Sequence, residues 1–225
     1  MNLLSAVKSA VVPGGRSPRR ILSGPFKGLV MDLDLKHQFQ VYAGTFERET
    51  YPFLWRLSRG IASAIEVGAA EGEYCLFFAT RTSARPVFAF EPIEECRVRL
   101  RRNLMHNGID ASRLRLSGQL VGAENSERFC TLDSLLPSLT FPCFVKMDID
   151  GGEAQALRGA TGLLERDTRW LVETHSLALE RECQQVLDRA GFVTHIVPNA
   201  WWRIVLPELR GGEQNRWLVA TRTPV

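Results

Sequence analysis

The sequence predicts an α/β fold, a Rossmann-like sheet of seven strands with helices on both faces and a terminal antiparallel β-hairpin. Short apolar runs alternate with helical patterns from residue 64 onwards, which is typical of βαβ units in a parallel sheet. Two of these runs have an acidic residue near their end, Glu66 two residues before a glycine and Glu91 directly before a proline. The last two runs are joined by a segment without helical periodicity, so we expect them to pair as a hairpin.

Composition and charge are those of an ordinary globular protein. The sequence is 45% hydrophobic and 24% charged, with a net charge of +3. Its 225 residues are enough to form one substantial hydrophobic core. The arginines are scattered, so the charge balance does not indicate a nucleic-acid partner. No apolar run approaches the length of a membrane span, so we expect no membrane-spanning segment. The five cysteines are irregularly spaced without a C-x-x-C pair, which predicts reduced thiols in a cytoplasmic protein.

The chain divides into a small N-terminal part and a main domain. Residues 1–60 are expected to form a tail and a strand and helix cap, and residues 61–225 the cofactor-binding domain. Within the cap, 13–20 has the composition of a basic linker, 21–41 indicates one or two small strands, and 51–59 predicts a helix.

The main domain alternates strands with helices. The predicted strands are 64–67, 86–90, 114–121, 144–152, which runs into a polar, glycine-rich end, 170–175, 192–197 and 217–221. The predicted helices are 73–80, 93–107, 153–164, in which Gly159 is a weak point, and 177–190. Ligands of such a sheet bind at the carboxyl ends of its strands, near the point where the strand order reverses.

The run 65–72, Ile-Glu-Val-Gly-Ala-Ala-Glu-Gly, ends a predicted strand and turns into a helical pattern. The next strand ends in Glu91, and 91 − 72 = 19 residues separate Glu91 from Gly72, close to the offset of about 20 at which an acid binds a ribose. The run therefore predicts a βαβ unit that holds an adenosine-bearing cofactor at a helix N-terminus.

Two cofactors fit such a unit, a dinucleotide and S-adenosylmethionine. The turn lacks the G-x-G-x-x-G spacing, and it contains the carboxylate of Glu71, which would oppose a pyrophosphate but tolerate a sulfonium and an ammonium group. Glu66, before the turn, can favour the ammonium end directly or through water. The sequence therefore favours S-adenosylmethionine, with S-adenosylhomocysteine as the product.

Several segments together resemble the FkbM-type methyltransferases of the class I fold. The resemblance covers residues 42–192 and is carried by 66–72, 88–92, 131–135, 145–153, 157–164 and 172–175. It implies methyl transfer from S-adenosylmethionine, generally to an oxygen of a sugar or secondary metabolite. The chain departs from the family at Ala70, where Asn is usual, and at Asp150, where Glu is frequent.

Nine residues are expected to contact the cofactor. Ile93 is placed to pack on the adenine face, and Gln119, after the third strand, to reach the adenine edge. The full set is Glu66, Gly68, Ala69, Gly72, Glu91, Pro92, Ile93, Gln119 and Asp148.

The catalytic candidates are Asp148, Glu173 and His175, at the ends of the fourth and fifth predicted strands. An alcohol must lose its proton as it attacks a methyl group, and His175 has the pKa of a good general base. The alternative for Asp148 is an N-cap, and for Glu153 a favourable position near a helix N-terminus. Carboxylates of this kind can bind Mg²⁺, but their spacing fixes no ligand set, so we expect no metal.

The sequence thus favours an S-adenosylmethionine-dependent O-methyltransferase acting on a small molecule or a glycan. One alternative is an RNA methyltransferase that uses Arg16, Arg19, Arg20 and the arginine-rich helix 93–107, and another is a non-catalytic scaffold that binds the cofactor. The expected partner is the acceptor rather than nucleic acid. The aromatic run 200–202 is read as a lid or as a homodimer contact.

Overall fold

The computed structural model of the chain describes residues 15–200 and 216–223. Its strands are β1 (Arg16–Arg20), β2 (Val30–Asp34), β3 (Ser63–Val67), β4 (Val87–Phe90), β5 (Leu114–Ser117), β6 (Leu120–Val121), β7 (Phe129–Cys130), β8 (Cys143–Met147), β9 (Thr168–Thr174), β10 (Val193–Val197) and β11 (Arg216–Thr221). Its α-helices are α1 (Leu35–Ala43), α2 (Tyr51–Leu57), α3 (Glu73–Arg81), α4 (Glu94–His106), α5 (Glu153–Arg158), α6 (Thr161–Leu164) and α7 (Leu177–Arg189). Short 3₁₀ helices occupy Arg48–Thr50, Ala111–Arg113 and Leu132–Ser138.

Seven strands form the central sheet in the order β10-β11-β9-β8-β3-β4-β5. The pairs β9–β8, β8–β3, β3–β4 and β4–β5 are parallel, and β11 is antiparallel to both β9 and β10. The predicted fold class and its terminal hairpin are confirmed. The chain passes from β3 outwards to β5 and returns to β8, so the strand order reverses between β3 and β8, where a ligand crevice is expected.

The two faces of the sheet pack into two hydrophobic clusters because side chains of a strand alternate between its faces. On β3, Ala64 belongs to one cluster, while Ile65 and Val67 belong to the other. The first cluster includes α3 and the N-terminal segment, and the second includes α5, α6 and α7. The described part of the N-terminal cap therefore shares a core with the main domain, and the boundary near residue 60 does not separate two cores.

The N-terminal cap differs from its predicted structure in two places. Residues 16–20, predicted as a linker, form strand β1 and pair antiparallel with β2. Residues 35–43 form helix α1, where only strands were predicted. Asp34 begins this helix by accepting a hydrogen bond from the Lys36 amide, and Gly44 ends it in the left-handed conformation. The capping residues Asp34 and Gly44 are visible in the sequence, but the alternation of apolar residues in 21–41 favoured strands in the prediction.

Two predicted elements of the main domain are divided. The predicted helix 153–164 is α5 and α6, separated at Gly159, where a Cβ atom would lie 2.0 Å from the carbonyl oxygen of Gly122. The predicted strand 114–121 is β5 and β6, and β6 pairs with β7 outside the main sheet. The tail 1–14 and the tryptophans of the run 200–202 lie outside the described residues.

All five cysteines are free thiols. Among the helices of residues 15–200 and 216–223, none is both long and apolar enough to cross a membrane.

Asn103 joins the N-terminal hairpin to the turn that follows β3. Its Oδ1 accepts from the Asp32 amide at 2.8 Å, and its Nδ2 donates to the Glu71 carbonyl at 2.9 Å. The substitution Asn103→Ala leaves both buried groups without this partner, so we expect it to lower the free energy of unfolding by at least about 1–3 kcal/mol. Urea unfolding measures this change. The control Met105→Ala, at an exposed position of the same helix, should stay within about 0.5 kcal/mol of the wild type, and an equal loss in both variants would contradict the role of Asn103.

Candidate active site

The candidate residues gather at one edge of the sheet, where the parallel strands end. Gly68 follows β3, Glu91 follows β4, Gln119 lies beyond β5, and Asp148 follows β8. His175 follows β9, and Glu173 lies near its end. The structure therefore brings together the predicted cofactor residues and the predicted acceptor residues, as expected for a sheet whose order reverses between β3 and β8.

The turn after β3 lies against the end of β8. The Gly68 and Ala69 amides both donate to the Phe90 carbonyl at 2.9 Å, and the Asp148 amide donates to the Val67 carbonyl at 2.9 Å. Gly68 has a φ of 81°, and a Cβ atom there would lie 1.8 Å from the Asp148 carbonyl oxygen. Only glycine fits this position, and it lets the turn approach the strand end closely.

Glu91 connects the turn after β3 to the start of α4. Its Oε2 accepts from the Ala70 amide at 2.8 Å, and its Oε1 accepts from the Ile93 amide at 2.9 Å. Each carboxylate oxygen has a second lone pair, so these contacts leave room for the ribose contact predicted from the spacing. Pro92 and Ile93 are exposed beside it, with 54% of Ile93 accessible, and their contact with the adenine stays a prediction.

Three further predicted cofactor residues have structural contacts of their own. Gly72 precedes α3 with a φ of 95°, and a Cβ atom there would lie 2.7 Å from the Leu100 side chain. Ala69 is buried. Gln119 is half-buried, and its side-chain amide is directed to the Ser126 and Glu127 carbonyls at 3.4 Å.

Ala70 is left-handed, with a φ of 44°. This conformation is unusual for alanine and more accessible to asparagine. The usual asparagine of the family at this position thus has a backbone explanation, and its absence here does not by itself remove a cofactor contact.

The negative charge of Glu71 is balanced by two neighbouring arginine side chains. Arg16 bonds both of its carboxylate oxygens at 2.5 and 2.8 Å, and the Arg99 guanidinium lies 2.8 Å from Oε1. The Gln38 side chain donates to Oε2 at 3.0 Å. Because two guanidinium groups balance this carboxylate, its charge does not discriminate against a pyrophosphate as the sequence had suggested.

Glu66 lies inside the core instead of at the open edge. Its side chain accepts from Cys75 Sγ at 2.7 Å, only 1% of the residue is exposed, and burial raises its pKa to about 8. The predicted contact of Glu66 with a cofactor ammonium group, directly or through water, stays a prediction, and this burial does not favour its direct form. Glu66 instead faces Lys146, its register partner on β8.

Lys146 is the buried cation of the site, and sequence reasoning gave it no role beyond the family resemblance. Its Nζ lies 3.4 Å from Asp148 Oδ2 and over the rings of Tyr74 and Trp217, at 4.6 and 5.7 Å from their centroids. Burial disfavours the ammonium form, but nearby carboxylates, Asp148 first among them, outweigh it and raise the pKa of Lys146.

His175 lies among carboxylates. Its Nδ1 is 2.5 Å from Oε1 of the fully buried Glu153, and its Nε2 is 3.6 Å from Asp148 Oδ1 and 3.2 Å from Asp150 Oδ1. The hydrogen bond to Glu153 raises the pKa of His175, partial burial opposes it, and the neighbouring negative charges add to the increase. Glu153 thus orients this imidazole, a contact that its position in the helix alone did not predict.

The predicted catalytic residues also form a set that could ligate a metal. One ligand atom each from Asp148, Glu173 and His175 lies within 4.8 Å of the other two. Glu173 and His175 face the same side of β9, as their alternation predicts, and the adjacent β8 supplies Asp148.

Two surface clefts of about 440 and 480 Å³ lie elsewhere. Trp55 and Arg81 line the first, and Leu57 and Arg169 line the second. Both open at the amino ends of the parallel strands and contain none of the candidate residues, so they do not correspond to the predicted cofactor site.

The conformation of Ala70 gives a first test. The substitution Ala70→Gly removes the left-handed penalty of a Cβ atom, so we expect it to raise the free energy of unfolding by roughly 1 kcal/mol. Chemical denaturation of Ala69→Gly supplies the control, since glycine at this neighbouring buried position, which has no positive φ, should be destabilising. A loss of stability in Ala70→Gly would contradict the strain.

The buried acid Glu66 gives a second test. Its pKa is about 8 in the folded chain and near 4.5 when unfolded, so between these values the folded state keeps a proton that the unfolded state has released. The wild type should therefore lose stability relative to Glu66→Gln as pH rises from about 4.5 to 8, by up to about 1.4 kcal/mol per pH unit. Urea unfolding at pH 5.5 and 8.0 measures the difference between the variants, and an unchanged difference would refute the burial argument.

Residues 124–197 match the Methyltransferase FkbM domain family. This match confirms the resemblance that the sequence indicates and includes Asp148, Glu153, Glu173 and His175. No curated protein sequence matches the chain.

Solved methyltransferase structures are similar to this chain. A SAM-dependent O-methyltransferase from Thermotoga maritima superposes with a TM-score of 0.53 at 16% identity, over 80% of this chain and 66% of that one. An rRNA methylase from Streptococcus thermophilus gives 0.53 at 14% identity, over 77% and 93%. A precorrin-6y C5,15-methyltransferase from Geobacter metallireducens gives 0.51 at 12% identity, over 76% and 86%.

At these identities the likeness concerns the fold, while the domain match concerns the family. The chain therefore has the fold of class I S-adenosylmethionine-dependent methyltransferases, and over residues 124–197 it is similar to the methyltransferase FkbM domain family.

Proposed function

We propose that the protein is an S-adenosylmethionine-dependent O-methyltransferase that acts on a hydroxyl group of a small molecule or a glycan. The observation that carries the proposal is the convergence of Asp148, Glu173 and His175 at the strand ends, directly beside the Gly68 turn. The FkbM domain match supports methyl transfer, and the polar edge supports an oxygen acceptor.

The edge of β3 and β4 fits the cofactor. Gly68 permits a close backbone approach, Glu91 offers lone pairs for the ribose hydroxyls, and the exposed Ile93 offers an apolar surface for the adenine. When bound, S-adenosylmethionine supplies an electrophilic methyl group on a sulfonium sulfur. Asp148 follows β8 next to this turn, so we assign it to the boundary between cofactor and acceptor.

The edge of β8 and β9 fits the acceptor. Methyl transfer depends strongly on positioning, and a hydroxyl acceptor must also lose its proton as it attacks. Asp148, Glu173 and His175 are groups that can orient a hydroxyl and take up its proton, and Glu153 fixes the imidazole by the Nδ1 contact. Such groups have no evident purpose in a scaffold without turnover.

The arginines support a small acceptor over RNA. Arg16 and Arg99 both bind Glu71. Arg102 binds Asp32. Arg97 donates to the carbonyls of Glu91 and Pro92. Guanidinium groups committed to internal contacts do not form the open basic surface that phosphate binding requires. The rRNA methylase among the similar structures shows the fold only.

Calorimetric titration tests the cofactor. We expect S-adenosylmethionine and S-adenosylhomocysteine to bind and NAD not to bind. Glu91→Ala should weaken binding of both adenosyl ligands by at least about 1–3 kcal/mol, because the substitution leaves polar partners unpaired. The exposed Glu95→Ala on α4 is the matched control and should bind as the wild type does. Binding of NAD alone would overturn the assignment.

A methyl-transfer assay tests the acceptor class. Hydroxyl-bearing sugars and secondary metabolites, amines and an RNA pool are offered with labelled S-adenosylmethionine, and label is expected on oxygen only. RNA binding that falls steeply with added salt, together with labelled RNA, would replace the small-molecule assignment.

A further inference from the structure

The geometry points to a divalent-cation site formed by Asp148, Glu173 and His175 at the acceptor edge. The spacing of these residues along the chain did not indicate a ligand set, because Glu173 and His175 lie at the end of β9 and Asp148 follows the neighbouring β8. Four observations support the site: the converging ligand atoms, the orientation of His175, the buried Glu153 carboxylate that sets this orientation, and the placement of Lys146.

The three ligand atoms suit one cation. Two carboxylate oxygens and one imidazole nitrogen lie within 4.8 Å of one another. A six-coordinate ion with ligand distances of about 2.1 Å separates its ligands by roughly 3–4 Å, so small side-chain rotations would complete the contacts. Mg²⁺ and Mn²⁺ accept such a mixed set and keep open positions for water or substrate oxygen.

His175 presents its free nitrogen to negative groups. With Nδ1–H donated to Glu153 at 2.5 Å, the neutral ring has its lone pair at Nε2. This nitrogen lies 3.6 Å from Asp148 Oδ1 and 3.2 Å from Asp150 Oδ1. A lone pair and carboxylate oxygens at these distances need a positive charge between them, which is either a proton or a metal ion.

Glu153 holds His175 in the orientation of a metal ligand. This side chain is completely buried and gives one oxygen to His175, while its Oε2 has no hydrogen-bond partner among the described residues. A carboxylate that holds the far nitrogen of a ligating histidine is the common outer partner of metal sites. A proton on His175 Nε2 is shared with Asp148 or Asp150 alone, whereas a metal ion between the three ligand atoms would also contact the Glu173 oxygen.

Lys146 does not take the place of the cation. Its ammonium contacts the other oxygen of Asp148, Oδ2, at 3.4 Å and is held over the rings of Tyr74 and Trp217. Only 4% of the Lys146 side chain is exposed, whereas Asp148 is 25% exposed on its open side. Asp148 therefore turns one oxygen to the buried lysine and the other towards His175 and the acceptor edge.

A cation at this place would orient the acceptor and make its hydroxyl more acidic. This role rests on the proposed function, whereas metal binding itself does not. As the acceptor oxygen bonds to the methyl carbon, the carbon–sulfur bond breaks, the sulfonium becomes a thioether, and the hydroxyl proton passes to water. His175 would then be a ligand and not the general base.

Titration of Mn²⁺ into protein freed of metals with EDTA, followed by electron paramagnetic resonance, tests the site. We expect saturable binding of one ion, displaced by Mg²⁺. The near-isosteric Asp148→Asn and His175→Gln should each weaken it at least tenfold, and Glu153→Gln should weaken it about 10–100-fold. Glu182→Gln, which removes an exposed carboxylate of α7 that pairs with Arg158, is the control and should bind as the wild type does.

Thermal unfolding with and without Mn²⁺ gives a second readout. Mn²⁺ should raise the melting temperature of the wild type and of the control, and raise it less in the variants that bind the ion weakly. No saturable Mn²⁺ binding up to millimolar concentration, in protein that still binds S-adenosylmethionine, would overturn the metal site and leave the proposed function intact. Binding that Asp148→Asn and His175→Gln leave unchanged would also overturn it. Failure to bind S-adenosylmethionine would count against the proposed function alone.

Discussion

One buried ammonium group balances the acids on which the candidate site depends. Lys146 lies opposite Glu66 in the sheet, contacts Asp148, and is enclosed by the rings of Tyr74 and Trp217. Removing one partner of a buried ion pair is strongly destabilising, since the remaining charge has no compensation. Lys146 therefore compensates the negative charge of Asp148, at the end of β8, beside the core.

Much of the fold could be predicted because alternating apolar runs and glycine turns are local signals. The sheet, its reversal beside β3 and the terminal hairpin follow from them. The N-terminal cap was harder. Arg16 and its neighbours resemble a basic linker until β2, the next strand along the chain, pairs with them. Secondary structure that depends on tertiary pairing is not visible in local composition.

The residues of the candidate site could be predicted from the sequence, but not their contacts. Acids and histidine at strand ends could be found from sequence, since carboxyl ends of parallel strands share one edge. Their mutual contacts could not. The Glu153–His175 bond and the placement of Lys146 join separate elements, and the partners of Glu71 come from the N-terminal hairpin and α4. A carboxylate's role depends on such neighbours, so Glu71 and Glu66 differed most from expectation.

The ion pair between Arg16 and Glu71 ties the first strand of the cap to the turn that would hold the cofactor. A ligand that stabilises the conformation of this turn must also stabilise the packed β1–β2 hairpin, because coupling between two sites is reciprocal. Packing of the hairpin must likewise stabilise the turn. The cap is then part of the ligand's binding equilibrium, although the candidate ligand-contact residues all lie beyond it in the sequence. Its hydrogen-exchange protection would rise with cofactor occupancy, so the amino end of the chain reports on a site formed by the carboxyl ends of strands.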